Sequence, residues 1–190
     1  MTAGSADVRP RCSWADPATT PPDYVAYHDD EWGRPLHGTP ALFERLSLEA
    51  FQSGLSWLTI LRKRPAFRAA FADFDPETVA AFDDADVERL MADAGIVRNR
   101  RKVDATIINA RRIADAVPEG LDTLLWSFAP PARPRPSGFG DVPAVTPEST
   151  AMAAELKRRG FAHVGPTTGY ALMQAVGMVD DHLQRCFVRF

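Results

Sequence analysis

Four side chains near the two ends of the chain have the types and spacing for metal chemistry. The 190-residue sequence has two cysteines, Cys12 and Cys186. Cys12 is followed by His28, and Cys186 is preceded by His182 at a spacing of four. On a helix, residues four apart share a face, so His182 and Cys186 can present an imidazole nitrogen and a sulfur to one point. Two thiolates and two imidazoles are a complete tetrahedral donor set for zinc. If the two pairs converge, one metal ties the start of the chain to its end. The alternative for the cysteines is a disulfide, which a reducing compartment disfavours.

Other residues suggest a ligand pocket. Trp14, Tyr24, Tyr27, Trp32 and Trp57 crowd the first third of the chain. Such rings usually belong to a core. The run YHDDEWGRP, Tyr27 to Pro35, is nevertheless too polar and irregular for a core helix, and rings on a loop suit a stacked base. Glu49 lies in the largely apolar LSLEAFQSGLSW. It either faces solvent or is buried, where it makes a strong acceptor for an amino group or a cation. Between Arg159 and Ala175, GFAHVGPTT separates two helical stretches. The second helix opens at Gly165, Pro166 and Thr167, and the backbone N–H groups there, which proline itself lacks, can hold a phosphate without side-chain charge; a plain helix–helix turn is the alternative.

The elements that must position these residues are helical. Helices are expected from Thr39 to Gly54, from Ser56 with Pro65 bending or breaking it, from Asp75-Pro76, from Asp84 to Ala94 with Gly95 as C′ residue, and from Asn99 to Val117. More follow at Leu121–Phe128, Thr146–Arg159 and Thr168–Val176, and a last turn or two from Asp180 to Phe187 carries the His–Cys pair. Residues 129–146 are a Pro-rich loop, long enough to be functional. No period-2 strand of useful length and no repeat occurs, so the fold class is all-α. A hydrophobic fraction of 45% with 25% charged residues fits one globular domain over 11–190, preceded by a disordered lead, 1–10. The start lacks a basic stretch followed by an apolar run, so it is no secretory signal, and the cytoplasm is the expected location. No run is apolar enough to cross a membrane. A net charge of −3 does not itself suggest nucleic acid. Positive charge is clustered, however, in Arg62–Arg64, Arg98–Lys102, Arg111-Arg112 and Lys157–Arg159, which read as solvated helix ends or as one shared face. Phosphate-loop, dinucleotide, H-E-x-x-H and G-x-S-x-G motifs are all missing.

Together the runs AYHDDEWGRP, LSLEAFQSGLSW, AGIVRNRRK and KRRGFAHVGPTTGYALMQAVGMVDDH resemble the DNA-3-methyladenine glycosylase I family. The resemblance spans roughly Arg11 to Cys186. It implies a helix-hairpin-helix glycosylase fold, with the hairpin at 157–176. It implies one structural zinc per chain on Cys12, His28, His182 and Cys186, joining 11–38 to 178–190 and leaving His37 and His163 over. The implied reaction is hydrolysis of the N-glycosidic bond of 3-methyladenine after base flipping, which leaves an abasic site. The pocket residues that match are Trp14, Tyr27, Trp32 and Trp57, with Glu49 as the residue that favours the cationic base. The partner is double-stranded DNA containing an alkylated purine, met by a monomer with no membrane contact. Asp180 stands near the position where related glycosylases carry a catalytic Asp; it reads as a helix N-cap or a partner orienting a histidine ligand. A lesion-binding module without cutting, and a glycosylase for bulkier alkylpurines, are the competing readings.

Overall fold

A computed structural model describes residues 9–189. Of the expected lead, residues 1–8 lie outside the described residues. The helices are α1 (Pro22–Asp30), α2 (Thr39–Gln52), α3 (Trp57–Ala70), α4 (Pro76–Ala80), α5 (Asp84–Ala92), α6 (Arg100–Ala116), α7 (Leu121–Trp126), α8 (Pro147–Arg158) and α9 (Pro166–Ala175). Among the described residues there is no strand. Local chemistry sets most starts. Ser56, Asp75, Asp83, Asn99 and Thr146 each accept a hydrogen bond from a first-turn amide. Proline occupies the opening positions of α1, α2, α4, α8 and α9.

Helix α2 is central. It packs against α3, α4, α6, α7 and α9, and every residue from Arg45 to Phe51 is buried. A helix packed on this many sides leaves Glu49 buried. The main core gathers Leu42, Phe43, Leu46 and Phe51 of α2 with Phe67, Phe71 and Phe74, Ile107 and Met173. A second, smaller apolar cluster lies where the chain ends meet. Cys12, Cys186 and Val188 are buried there under Trp14, Leu183 and Phe187.

Several expectations are corrected. Helix α3 runs unbroken through Pro65, because Ile60 and Leu61 before it and Phe67 and Ala70 after it are all buried. Gly95 does not have the positive φ of a C′ glycine; α5 ends at Ala92, and a Cβ on Gly95 would stand 2.9 Å from Ala66 Cβ of α3. Tyr27 to Asp30 form the last turn of α1 rather than a loop. The segment 180–189 is not helical; a turn at Gln184-Arg185 brings His182 and Cys186 to one point instead. The loop 129–146 contains one 3-10 turn, Phe139–Asp141.

The basic groups are not merely solvated, for each places one cation on carbonyls at the end of a different helix. Lys63 Nζ donates to Ala94 O and Gly95 O beyond α5, and Lys102 Nζ to Phe51 O and Ser53 O at the end of α2. Arg111 donates to Ala80 O and Phe82 O at α4, and Arg159 to Ala116 O at α6. These carbonyls have no partner within their own helix, and a cation suits the negative end of the helix dipole.

Candidate functional site

The two chain ends converge on a four-donor cluster. Cys12, His28, His182 and Cys186 are all buried, and their ligand atoms lie within 4.8 Å of one another. Cys186 Sγ is 3.5 Å from His28 Nε2 and 3.5 Å from His182 Nδ1, and Cys12 Sγ is 3.6 Å from His182 Nδ1. Tetrahedral zinc with bonds of ~2.3 Å to sulfur and ~2.0–2.1 Å to nitrogen requires S···N edges of ~3.6 Å. The outward nitrogens are held as well: His28 Nδ1 is 2.8 Å from Asp29 Oδ1, and His182 Nε2 is 3.1 Å from Trp32 O. Arg11 in turn grips Asp29 through both carboxylate oxygens. This is how metal-binding imidazoles are oriented. The hydrogen bond from Cys12 drives the Cys186 thiol toward thiolate, and the same bond together with burial keeps the proton on Cys12. A cation among the four donors lets both sulfurs ionise. The residues present can hold a metal, and the cysteines are free thiols with no disulfide between them.

Beside this cluster lies a cavity of about 450 Å³. Its near wall carries Trp14, Tyr24, Tyr27, Trp32 and Trp57, with Glu49 and Gln52 from α2. Trp14 packs on Tyr24 and Trp32 at ring distances of 5.0 and 5.2 Å, and Tyr27 on Trp57 at 5.4 Å. The four-donor cluster is continuous with this wall, since Trp14 and Trp32 also contact the His28 and His182 rings. Glu49 is only 6% exposed. Among the described residues no group hydrogen-bonds its carboxylate. Burial pushes it up to about 7, with the Arg45 charge pulling the other way. Arg45, one turn earlier on α2, is committed elsewhere. It donates to Tyr27 Oη at 2.9 Å and lies over the Trp57 ring at 5.2 Å. Among the described residues the buried Trp57 Nε1–H has no acceptor.

The far wall was not legible from sequence. Thr167, Tyr170, Ala171 and Gln174 line the cavity from one face of α9, at the 3-4-7 spacing of a helix stripe. Asp181 joins them in lining the cavity, with its side chain fully buried. Its carboxylate accepts from Tyr170 Oη at 2.5 Å, Gln174 Nε2 at 2.9 Å and Arg133 at 2.7 Å. Asp180 instead pairs with Arg135 at 2.6 Å and accepts the His182 amide, so it supports the metal-cluster loop and is not among the cavity-lining residues. The Pro-rich loop supplies Phe139, Val142, Pro143 and Ala144. A signal was available in the paired Asp180-Asp181 and the two arginines of PPARPRP, but their pairing is a long-range fact.

Gly165, Pro166 and Thr167 open α9, and all three are exposed. Gly160 at φ 87° and His163 at φ 60° turn the chain between α8 and α9. Asn109 of α6 fixes that turn, donating to Ala162 O at 3.1 Å and accepting from Ala162 N at 2.7 Å. Gly169 lets the two helices close, since a Cβ there would sit 3.1 Å from Met152 Cε. No helix among the described residues is long and apolar enough to cross a membrane.

Sequence and structure comparisons converge on one group of enzymes. A sequence model of the methyladenine glycosylase family matches residues 14–189. DNA-3-methyladenine glycosylase 1 of Escherichia coli is 44% identical over 180 residues, covering 93% of this chain and 95% of that protein. The crystal structure of a 3-methyladenine DNA glycosylase I superposes with a TM-score of 0.89 at 42% identity, covering 95% of this chain and all of the other. A single-residue variant of 3-methyladenine DNA glycosylase I, in complex with 3-methyladenine, superposes with a TM-score of 0.85 at 36% identity, over 90% of this chain and 94% of that one.

Proposed function

The chain belongs to the methyladenine glycosylase family, and on that premise we propose how it hydrolyses the N-glycosidic bond of 3-methyladenine in alkylated double-stranded DNA. The observation that carries the reading is Glu49: a buried carboxylate, free of hydrogen bonds among the described residues, on a cavity walled by aromatic rings. Methylation at N3 makes adenine cationic and already a good leaving group, so little acid–base help is needed. An enclosed carboxylate favours that cation over neutral adenine and accepts from its amino edge. Trp14, Tyr27, Trp32 and Trp57 stack on the base, and stacking is stronger for a cation. The unsatisfied Trp57 donor is available to a ring nitrogen. The base reaches the cavity by flipping out of the duplex. The α9 N-terminus at Gly165–Thr167 holds the backbone through amide N–H groups.

Cys12, His28, His182 and Cys186 would hold zinc, whose chemistry there is structural because four protein ligands leave no position for water. Its service is to fix Trp14, Tyr27 and Trp32 opposite Glu49. In this reading the chain acts in the cytoplasm as a monomeric, single-domain base-excision enzyme. The test is release of free 3-methyladenine from methylated duplex DNA. Glu49→Gln is expected to lower release about 100-fold or more, the scale of losing one charge-stabilising group. Wild-type protein that binds lesions but leaves no abasic site overturns the reading.

A further inference from the structure

The Pro-rich loop places an exposed aromatic ring on the cavity wall. Phe139 is 55% exposed, more than Leu55, Ile108 or Val145, yet it lines the cavity. Among the described residues no other ring packs on it. The ring is held by a fixed turn. Asp141 Oδ2 accepts from Ser137 N, Ser137 Oγ and Gly138 N. The turn is in turn bolted to the C-terminal segment. Arg133 bonds Asp181 and Arg135 bonds Asp180, Arg135 also donates to Val188 O, and Gln184 N donates to Pro136 O. A solvent-facing ring thus stands on a pinned stretch of backbone.

Two further observations point to what it meets. Phe139 is flanked by Gly138 and Gly140, and a Cβ on either would touch nothing within 4 Å. The fold does not require glycine there, and the backbone positions on either side of Phe139 face open space. Thr167, at the N-terminus of α9, lines the same cavity. The cavity that Phe139 lines therefore also borders the segment proposed to hold the DNA backbone.

We propose that Phe139 is a substrate-contacting residue that packs against the extruded nucleotide at the mouth of the cavity, on the DNA side of the base. The inference rests on the glycosylase reading above. The base itself is gripped deeper, by Glu49 and the near-wall rings. Phe139 therefore serves binding of the nucleotide within DNA rather than of the free base.

The experiment uses the full chain, as wild type, Phe139→Ala and Phe139→Trp. Single-turnover release of 3-methyladenine from methylated duplex is followed against protein concentration, and free 3-methyladenine is titrated by tryptophan fluorescence in parallel. Loss of one stacking ring is expected to raise the half-saturating concentration about tenfold in the alanine variant. Tryptophan restores it, free-base affinity is unchanged, and the melting temperature is unmoved because the ring is exposed. Unchanged half-saturation in the alanine variant overturns the inference. So does an equal loss of free-base affinity, which would assign the ring to the base pocket, or a tryptophan variant as defective as alanine. Wild-type protein that releases no base overturns the glycosylase reading, and this inference with it.

Discussion

Glu49 and Arg45 share a face of α2, yet Arg45 turns to Tyr27 and leaves the carboxylate unpaired. Had the two formed an ion pair, the cavity would lack the unpaired charge that the proposed function assigns to the cationic base. The cost of that arrangement is measurable. Glu49 rises from 4.5 to about 7 on burial. A carboxyl raised in this way contributes its full stability below pH 4.5 and loses it as pH climbs through 7. Wild-type protein should therefore lose stability relative to Glu49→Gln across that window, reaching about 3 kcal/mol at pH 8. Denaturant titrations at pH 5 and pH 8 check this, and parallel pH dependence in the two proteins would refute the burial account. Catalysis runs the opposite way, since the cationic base needs the ionised form. The kcat/KM profile is expected to rise to a plateau with a midpoint near 7, and the kcat profile at lower pH, because a bound cation holds the carboxylate ionised.

At the scale of elements, cations from one helix hold the end of another. Lys102 illustrates this most clearly: it is 7% exposed, and its Nζ satisfies Phe51 O and Ser53 O just beyond Glu49. Replacing it with methionine leaves both carbonyls without their donor and should cost about 2–3 kcal/mol, read from urea unfolding. A variant with wild-type stability would show that water replaces the cap. These cross-helix caps also mark the boundary of what the sequence reveals. Helix starts at Asp75, Asn99 and Thr146 were legible, because capping is settled within four residues. The positions of Trp14, Tyr27, Trp32, Glu49 and Trp57 on one cavity were anticipated through resemblance to a family, not through periodicity. What Lys102 or Arg133 binds depends on packing between distant segments, so no local pattern contains it. Likewise Pro65 breaks a helix in isolation but not one clamped by Phe67 and Ala70.

The whole molecule is closed by bringing its ends together, and the second apolar cluster is small. Cys12, Cys186 and Val188, with Trp14, Leu183 and Phe187 against them, bury too little to hold two chain ends unaided. Polar ties add Phe187 N–H to Pro10 O at 2.7 Å, Leu183 N–H to Cys12 Sγ at 3.3 Å and the Arg11–Asp29 pair. Gly177 carries a related join, where α9 passes under the aromatic segment: φ is 76°, and a Cβ would lie 2.6 Å from Gly33 O, Arg34 C and Pro35 N. Gly177→Ala should lower stability by several kcal/mol, on the order of a core overpacking with strain, and thermal melting measures it. A metal ought to matter differently, because the four donors that would hold it lie at one end of the structure while the main core around α2 is built without them. Removing it by chelation, or by Cys186→Ala, is expected to abolish amide protection in 11–35 and 178–189 and leave α2, α6 and α9 protected. Hydrogen exchange read segment by segment, with zinc counted per chain by mass spectrometry, tests this. Base release should fall together with the lost protection, since Trp14, Tyr27 and Trp32 stand on the released segment while Glu49 does not. Uniform loss of protection would mean that the metal holds the entire fold. Full protection and activity without metal would mean that the four buried ligands form an ordinary polar cluster, and that the aromatic wall stands without a clasp.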